Sequence, residues 1–343
     1  MDAEKNESVN IYDIAEMANV SIATVSRVVN GSDKVSPATR RKVEEIIKEV
    51  GYKPNAFAKG LGLNTMHTVG ILTPNVADAF MAAAVYYLEQ EMRGYGYDCL
   101  LSCSGFQPEG KRNQLDLLLS KHVDALVLVG STYAGSGKDS KETDYIREAA
   151  KKVPVFLING SVRGRNVYVT VCDDTKAVRS VTESLIACGC KDILFMTDSR
   201  SYSANKKRSG YEEAMQKTGL PLRQELIRFV RNDIGFVREY LHREKPVFDA
   251  VVATEDGIAI GVLKYAADLG IRVPEELQIV GYNDSRMALA CEPELSSIDN
   301  GLKMMCIETV RRLMDILQGR RADKKTVVPC QIIERGTTRF LKR

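Results

Sequence analysis

The chain has 343 residues, which is enough for two or three domains. Its 48 basic and 45 acidic side chains nearly balance, so a general polycation is excluded and nucleic-acid binding would require a local basic surface. It has no run of about 18 apolar residues and no signal-peptide pattern in its polar start, MDAEKNESVN, so we expect a cytoplasmic protein without membrane contact.

The first predicted elements are helical. Residues 1–9 are expected to form a disordered tail, and residues 10–53 a small helical domain. Three residues that commonly cap helices, Asn10, Ser21 and Ser36, each precede an amphipathic stretch. The pattern therefore predicts three short helices in this domain.

The first two of these helices are predicted to form a helix-turn-helix, from the stretch IYDIAEMANVSIATVSRVVN at 11–30. The first helix is expected to bury Ile14, Met17 and Ala18. The second helix is apolar on one side and small or polar on the other, which suits entry into a DNA major groove. Its predicted groove-facing side consists of Ser21, Ile22, Ala23, Ser26 and Arg27.

A linker is predicted over residues 54–67. It begins with Pro54-Asn55, continues with an alanine-containing stretch and includes Gly60 and Gly62. Glycine disfavours helix, so this segment is expected to lie near the balance between helix and coil.

The remainder, residues 68–343, is predicted to be an α/β core. Apolar runs of five or six residues alternate with amphipathic stretches, which is typical of parallel sheets covered by helices on both faces. The runs fall into two series, so two similar lobes are expected, followed by a helix near 302–318 and strands near 326–333. The first series is 68–73, 98–102, 124–129 and 154–158; the second is 167–171, 192–196, 225–230, 249–253 and 277–282.

The eight cysteines include the pairs Cys99/Cys103 and Cys188/Cys190, which lie in apolar surroundings. The sequence contains no Cys-x-x-Cys pair, and its three histidines are scattered. We therefore expect buried free thiols, with neither a metal site nor a cofactor.

Longer motifs resemble the lactose/galactose repressor family of bacterial transcription regulators over about residues 10–340. The head motif continues into VSPATRRKVEEIIKEVGYKPNAFAKGL, which is similar to the third helix and hinge of that family. The core contains VGILTPNVADAF, SGYEEAM, TEDGIAIGVLKYAADLGIRVPEEL, IVGYNDS and IIERGTT, each similar to a family segment. The resemblance implies an N-terminal all-α helix-turn-helix head on a two-lobed core like that of periplasmic binding proteins.

The resemblance also implies roles for residues of the head and hinge. Ile22 and Ala23 would read thymine methyl groups and DNA shape, Arg27 would read guanine, and Leu61 would enter the minor groove. The DNA-binding set it implies is Tyr12, Ser21, Ile22, Ala23, Thr24, Ser26, Arg27, Asn30, Ser36, Thr39, Asn55, Ala58 and Leu61.

For the core, the resemblance implies a small-molecule effector held between the lobes, by default a sugar or sugar derivative. Lys207, where the family often has arginine, would favour an anionic group on the ligand. The chain has no tryptophan to stack on a sugar ring, and Phe80, Phe106 or Phe229 could substitute. The effector-binding set is Ala77, Asp78, Phe80, Met81, Asn159, Ser203, Lys207, Glu255 and Asn283.

Three other functions have less support in the sequence: a nucleotide-binding enzyme, a solute-binding protein and a regulator that answers to a protein co-repressor. The GSGK stretch at 135–138 lacks the first glycine and the Ser/Thr of a phosphate-binding loop, and neither a GxGxxG nor a GxSxG motif occurs. The head argues against a transporter's solute-binding protein. A catabolite-control regulator that answers to a protein co-repressor stays open. Because the family reads palindromes, we expect a homodimer on a double-stranded operator; no leucine heptad for a tetramer follows the last strand.

Overall fold

The computed structural model describes residues 9–29, 31–52, 65–136 and 140–340. Two compact units make up the chain, Met1–His67 and Thr68–Arg343. The predicted tail, apart from residue 9, and most of the predicted linker lie outside the described residues. The two units are called the head and the core below.

The described part of the head contains three helices: α1 (Ile11–Ala18), α2 (Ile22–Val29) and α3 (Pro37–Glu49). The predicted capping of α1 is present, because the Asn10 side chain accepts the Tyr12 N–H at 2.8 Å and Asp13 accepts the Asn10 N–H at 2.7 Å. Two donors that the first helical turn cannot use are thus satisfied.

One residue from each helix forms the centre of the small head core. Ile14, Val25 and Val43 have no exposed surface. The prediction that Met17 belongs to the buried stripe is wrong, since 52% of Met17 is exposed, whereas Ala15 is buried. The small Ala15 side chain suits the face of α1 against which the other helices pack, and Met17 lies to one side of that face.

The core contains two six-stranded sheets and the helices that cover them. The strands are β1 (Thr68–Thr73), β2 (Asp98–Cys103), β3 (Ala125–Val129), β4 (Val155–Ile158), β5 (Val167–Cys172), β6 (Ile193–Thr197), β7 (Ile227–Phe229), β8 (Ala250–Ala253), β9 (Gln278–Tyr282), β10 (Ser296–Asp299), β11 (Lys325–Val328) and β12 (Gln331–Ile333). The helices are α4 (Ala79–Gly94), α5 (Pro108–Ser120), α6 (Asp144–Ala149), α7 (Asp174–Ala187), α8 (Tyr202–Thr218), α9 (Ile234–Glu244), α10 (Asp256–Leu269), α11 (Arg286–Leu289) and α12 (Leu302–Leu317).

The first sheet has the order β11-β5-β4-β3-β1-β2, and all of its strands are parallel. The second has the order β12-β10-β9-β8-β6-β7 and is parallel except for the β10–β12 pair. Central strands such as β3 and β8 are buried along their whole length, which explains their unbroken apolar runs. The predicted fold class, a helical head with a two-lobed doubly wound core, is confirmed.

Two details of the strand prediction are wrong. The sequence pattern places the run 167–171 in the second series, but β5 pairs with β4 and β11 in the first sheet. Strand β10 is not predicted because its sequence, SSID, is polar. Its serines are buried and satisfied: Ser296 Oγ lies 2.7 Å from Thr338 Oγ1, and Ser297 Oγ donates to Asp256 at 2.6 Å.

The chain passes between the two lobes three times, after β5, after β10 and after β11. Helix α12 consequently packs on the first sheet, although it follows a strand of the second. Each lobe is therefore built from segments that are distant in sequence, and three crossings of the chain join the two lobes.

All eight cysteines are free thiols. Cys172, Cys190 and Cys306 are buried as expected, but Cys103 is exposed. Cys103 ends β2, an edge strand of the first sheet, which has a neighbouring strand, β1, on one side only. Within the described ranges, no group of three His, Cys, Asp or Glu side chains is placed to hold a metal ion, and no helix could cross a membrane.

Candidate functional site

The exposed side of α2 carries the side chains that were predicted to face a DNA groove. Ser21, Ile22, Ala23 and Arg27 are exposed, and Ser26 is half-buried. The opposite side of α2 is held in the head core by Val25 and Val28. We call the five outward residues the recognition face.

Arg27 is the only cation on the recognition face. In the described part of the chain, no hydrogen bond or ion pair is assigned to its guanidinium. An arginine held on a short helix with its donors free can bind a base edge or a phosphate.

Two hydroxyl pairs cap the helices that begin near this face. The Ser21 and Thr24 hydroxyls lie 2.9 Å apart at the start of α2, and those of Ser36 and Thr39 lie 2.8 Å apart at the start of α3. Each serine also accepts the backbone N–H three residues on, at 3.2 Å. Helix N-termini with hydroxyl groups favour phosphate oxygens.

Tyr12 lies at the start of α1 and is 67% exposed. Tyr12 and the two hydroxyl pairs therefore place candidate phosphate contacts at the starts of three helices. The other predicted DNA contacts, Asn30, Asn55, Ala58 and Leu61, lie outside the described residues.

The core contains a cavity of about 830 Å³ at the carboxyl ends of strands from both sheets. This is where doubly wound folds bind ligands, and the volume suits a small molecule. All nine residues of the predicted effector-binding set line the cavity: Ala77, Asp78, Phe80, Met81, Asn159, Ser203, Lys207, Glu255 and Asn283.

Two of these residues follow strands with unusual backbone geometry. Asn159 follows β4 with φ of 63°, and Asn283 follows β9 with φ of 93°. Asparagine tolerates this region better than most residues, and the turns place both side chains in the cavity wall.

Of the aromatic side chains considered for stacking, Phe80 and Phe106 line the cavity. Phe229 is instead 59% exposed on β7, at the edge of the second sheet. The expectation for Phe229 is therefore wrong, because the strand that carries it lies at the outer edge of its lobe.

Lys207 on α8 is almost fully buried, and its ammonium group is surrounded by protein acceptors. Its Nζ donates to the Thr254 carbonyl at 2.8 Å, lies 3.8 Å from Glu255 Oε1 and sits 3.6 Å from the centre of the Tyr282 ring. The expectation that Lys207 favours an anionic ligand is therefore not supported, because its charge already faces a carboxylate and a π-system.

Carboxyl groups outnumber cations around the cavity. Burial raises the pKa of Glu255 well above its usual range, and Lys207 opposes this shift. Burial also raises the pKa of Asp198, again against the effect of Lys207. Among the lining residues five are acidic and two basic, namely Asp78, Asp198, Asp233, Glu255 and Asp256 against Lys207 and Arg231.

Several polar atoms in the cavity wall have no hydrogen-bond partner among the described residues. They include Asn159 Oδ1, Ser203 Oγ, Thr254 Oγ1 and Thr132 Oγ1. A buried polar atom without a partner costs about 1–3 kcal/mol, so a ligand rich in hydroxyl groups would be stabilised here.

Sequence reasoning missed cavity residues that carry no family motif, such as Asp198 and Ser131. Ser131 follows β3 and donates to Ser201 Oγ of the other lobe at 2.8 Å, while Asn205 donates to the Ser136 carbonyl at 3.1 Å. The two lobes are thus hydrogen-bonded beside the cavity. Only the position of these residues after a strand could have signalled them.

Two family models match the chain: "Bacterial regulatory proteins, lacI family" over residues 10–55 and "Periplasmic binding protein-like domain" over residues 182–338. The transcriptional regulator CelR, solved with cellobiose, is 27% identical, covers 96% of this chain and 99% of its own, and gives a TM-score of 0.69.

Curated relatives match along nearly the whole length. Catabolite control protein A of Staphylococcus aureus is 32% identical over 97% of this chain and 100% of its own. An HTH-type transcriptional regulator of Lachnoclostridium phytofermentans is 45% identical over 96% of this chain and all of its own. With an outward-facing helix-turn-helix and a two-lobed core, this chain belongs to the lacI family of bacterial regulatory proteins, which are DNA-binding transcription regulators and not enzymes.

Proposed function

We propose that this regulator is a repressor that binds a palindromic operator as a homodimer. Binding of an uncharged sugar changes its affinity for the operator. The observation that carries the proposal is the recognition face of α2, on which Arg27 projects with its donors unused. In this proposal residues 10–53 bind DNA, 54–67 form the hinge and 68–343 form the sensing and dimerisation core.

Each part of the head has a proposed role. Ile22 and Ala23 contact thymine methyl groups, and Arg27 donates two hydrogen bonds to guanine. Ser21 and Ser26 flank these contacts. The proposed phosphate contacts are Tyr12, Thr24, Asn30, Ser36 and Thr39, and the proposed minor-groove contacts from the hinge are Asn55, Ala58 and Leu61.

The chemistry of the cavity supports a neutral sugar over a sugar phosphate. A phosphate would be repelled by the lining carboxylates Asp78 and Asp233, whereas sugar hydroxyls could pair with the carboxyl groups of Glu255 and Asp198 and with the unpartnered Ser203. Phe80 and Phe106 provide the apolar surface on which a sugar ring could pack. That CelR was solved with cellobiose agrees with this ligand class.

Exposed apolar side chains at two sheet edges support a homodimer. Leu100 and Leu101 on β2 are 36% and 41% exposed, and Phe229 on β7 is 59% exposed. Both strands are at the ends of their sheets, so their outer edges are unpaired. Proteins normally protect such edges, and a second copy of the chain would cover both.

A second candidate is a catabolite-control regulator whose core answers to a protein co-repressor. The 32% identity to catabolite control protein A, over 97% of this chain, favours keeping this alternative. In that case the regulator would bind its operator tightly only when the partner protein is bound to the core.

The test begins by selecting an operator from random duplexes with the purified full-length protein. Operator binding is then measured with neutral sugars, with their phosphates and with a phosphorylated carrier protein. A response to a neutral sugar alone supports the proposal, and a response to the carrier protein alone supports the alternative. Failure to enrich any duplex sequence would contradict both.

A further inference from the structure

The amino-terminal edge of the first sheet is strongly basic. Because all six strands are parallel, the segments that lead into them meet at one edge of the lobe. These segments contain nine basic and three acidic residues, although the whole chain carries a net charge of only +3. We call the nine the basic edge: Lys121, Lys151, Lys152, Arg163, Arg165, Arg320, Arg321, Lys324 and Lys325.

The opposite edge of the same sheet borders the cavity, where one of the five lining carboxyls, Asp78, comes from this lobe and the other four come from the second lobe. A chain that is nearly neutral overall has concentrated positive charge on one surface, which is how a local site for a polyanion is built.

Helix stability explains part of this charge but not all of it. Helix C-termini favour cations, and Lys121, Lys151 and Arg320 follow α5, α6 and α12. Arg163 and Arg165 follow β4 through a loop and precede β5, so no helix end accounts for them.

Ion pairs also leave part of the charge free. Lys151 pairs with Glu148, Arg320 pairs with Asp315, and Lys324 lies 3.9 Å from the centre of the Tyr168 ring. No ion pair in the described part of the chain involves the exposed residues Lys152, Arg163, Arg165, Arg321 or Lys325. They lie at the starts of the adjacent strands β4, β5 and β11 or in the segments that lead into them.

We propose that the basic edge binds the phosphate backbone of DNA that flanks the operator. The proposal rests on the proposed function for operator binding itself. It adds a contact from the core that depends on the length of the DNA and not on its sequence.

Chain connectivity favours DNA as the partner. Strand β1 begins at Thr68 on this same edge, and the chain that precedes it leads to the head. The fifteen residues 53–67 can span at most about 50 Å when fully extended. A head bound to its operator therefore keeps this end of the core within that distance of the duplex.

The test uses the full-length protein and two duplexes, the selected operator alone and the same operator with about 15 flanking base pairs on each side. The variant Arg163→Gln/Arg165→Gln/Arg321→Gln/Lys325→Gln removes four exposed charges from the basic edge. The matched control, Lys191→Gln/Lys217→Gln/Lys245→Gln/Lys264→Gln, removes four exposed charges from the second lobe.

Wild type and control are expected to bind the long duplex about tenfold more tightly than the short one, and the edge variant should bind both duplexes equally. On the long duplex, the slope of log affinity against log salt concentration should be shallower for the edge variant than for wild type by about 2 or more. Each phosphate that the variant no longer neutralises contributes about 0.9 to this change.

An equal preference for the long duplex in the edge variant and wild type, or no preference in wild type, would overturn the inference. So would a variant that keeps the preference but no longer binds a phosphorylated carrier protein, because the edge would then belong to a protein partner. If wild type binds neither duplex, the proposed function fails instead.

Discussion

Arg27 and Glu255 differ in their exposure and in their bonding partners, and these differences suit different functions. Arg27 is exposed on the recognition face with no assigned partner in the described residues. Glu255 lies at the cavity with 22% of its side chain exposed, where it accepts the Asn283 amide at 2.5 Å and faces Lys207. The first side chain is free to meet a partner, and the second is held in place for one.

Replacing Arg27 with alanine should abolish operator specificity while leaving weak, salt-sensitive binding to any duplex. A guanine contact supplies about 1–3 kcal/mol of discrimination, and a dimer makes it twice. Gel shifts on the operator and on a scrambled duplex measure the difference. Arg41→Ala, which removes an exposed arginine from α3, is the control; equal losses on both duplexes for Arg27→Ala would make Arg27 a phosphate contact only.

Replacing Glu255 with glutamine should raise the stability of the core relative to wild type. This difference should grow as pH rises above about 4.5, the ordinary pKa of this carboxyl. Because the pKa of Glu255 is raised in the folded state, the folded protein binds more protons than the unfolded chain. The contribution of Glu255 to the free energy of unfolding therefore falls as pH rises. The difference in Tm between Glu255→Gln and wild type from pH 5 to 8 is the measurement. Glu239→Gln, at an exposed carboxyl, is the control, and a constant difference across this range would contradict the prediction.

Among the elements, α2 and β10 were predicted with very different success. Helix α2 has a buried Val25 and Val28 at helical spacing, so its face could be predicted from periodicity. Strand β10 is buried but polar, because its serines are paired with Thr337, Thr338 and Asp256. Burial of such a strand depends on partners about 40 residues away, which no local pattern reveals.

Most of the hinge, residues 54–64, lies outside the described residues, and the role of the hinge stays a prediction. Gly60→Ala should raise its helix stability by up to about 1 kcal/mol and weaken the response to effector. Hydrogen exchange over 54–62, with and without operator, measures it. Full protection of this segment in the free wild-type protein would contradict a hinge that folds on DNA.

At the scale of the whole molecule, the unpaired edges of β2 and β7 are expected to hold the dimer together. Leu101→Glu/Phe229→Glu places charge on both edges, so it should yield monomers at micromolar concentration and weaken operator binding. Sedimentation equilibrium measures the state, with Val247→Glu, at a 77% exposed loop position, as the control. A stable wild-type tetramer, or a variant that remains dimeric, would contradict the prediction.

The sequence by itself determined most of the segments that become helices and strands, β10 being an exception, and the residues that follow them. Apolar periodicity and caps such as Asn10 are local properties, and the run of motifs was specific enough to indicate the family and the residues now found around the cavity. The periodicity and the caps can be identified from a single sequence because each depends on residues that are only a few positions apart.

Tertiary structure alone decided the sheet to which β5 belongs, the environment of Lys207 and the assembly of the basic edge. Each depends on residues far apart in the chain: β5 pairs with β11 some 150 residues on, and Lys207 meets Glu255 and Tyr282. The strength of a charge depends on what surrounds it, and the parallel topology brings six separate segments to one edge. Physical proximity, which no local pattern encodes, therefore set the character of the cavity and gathered the positive charge of the basic edge.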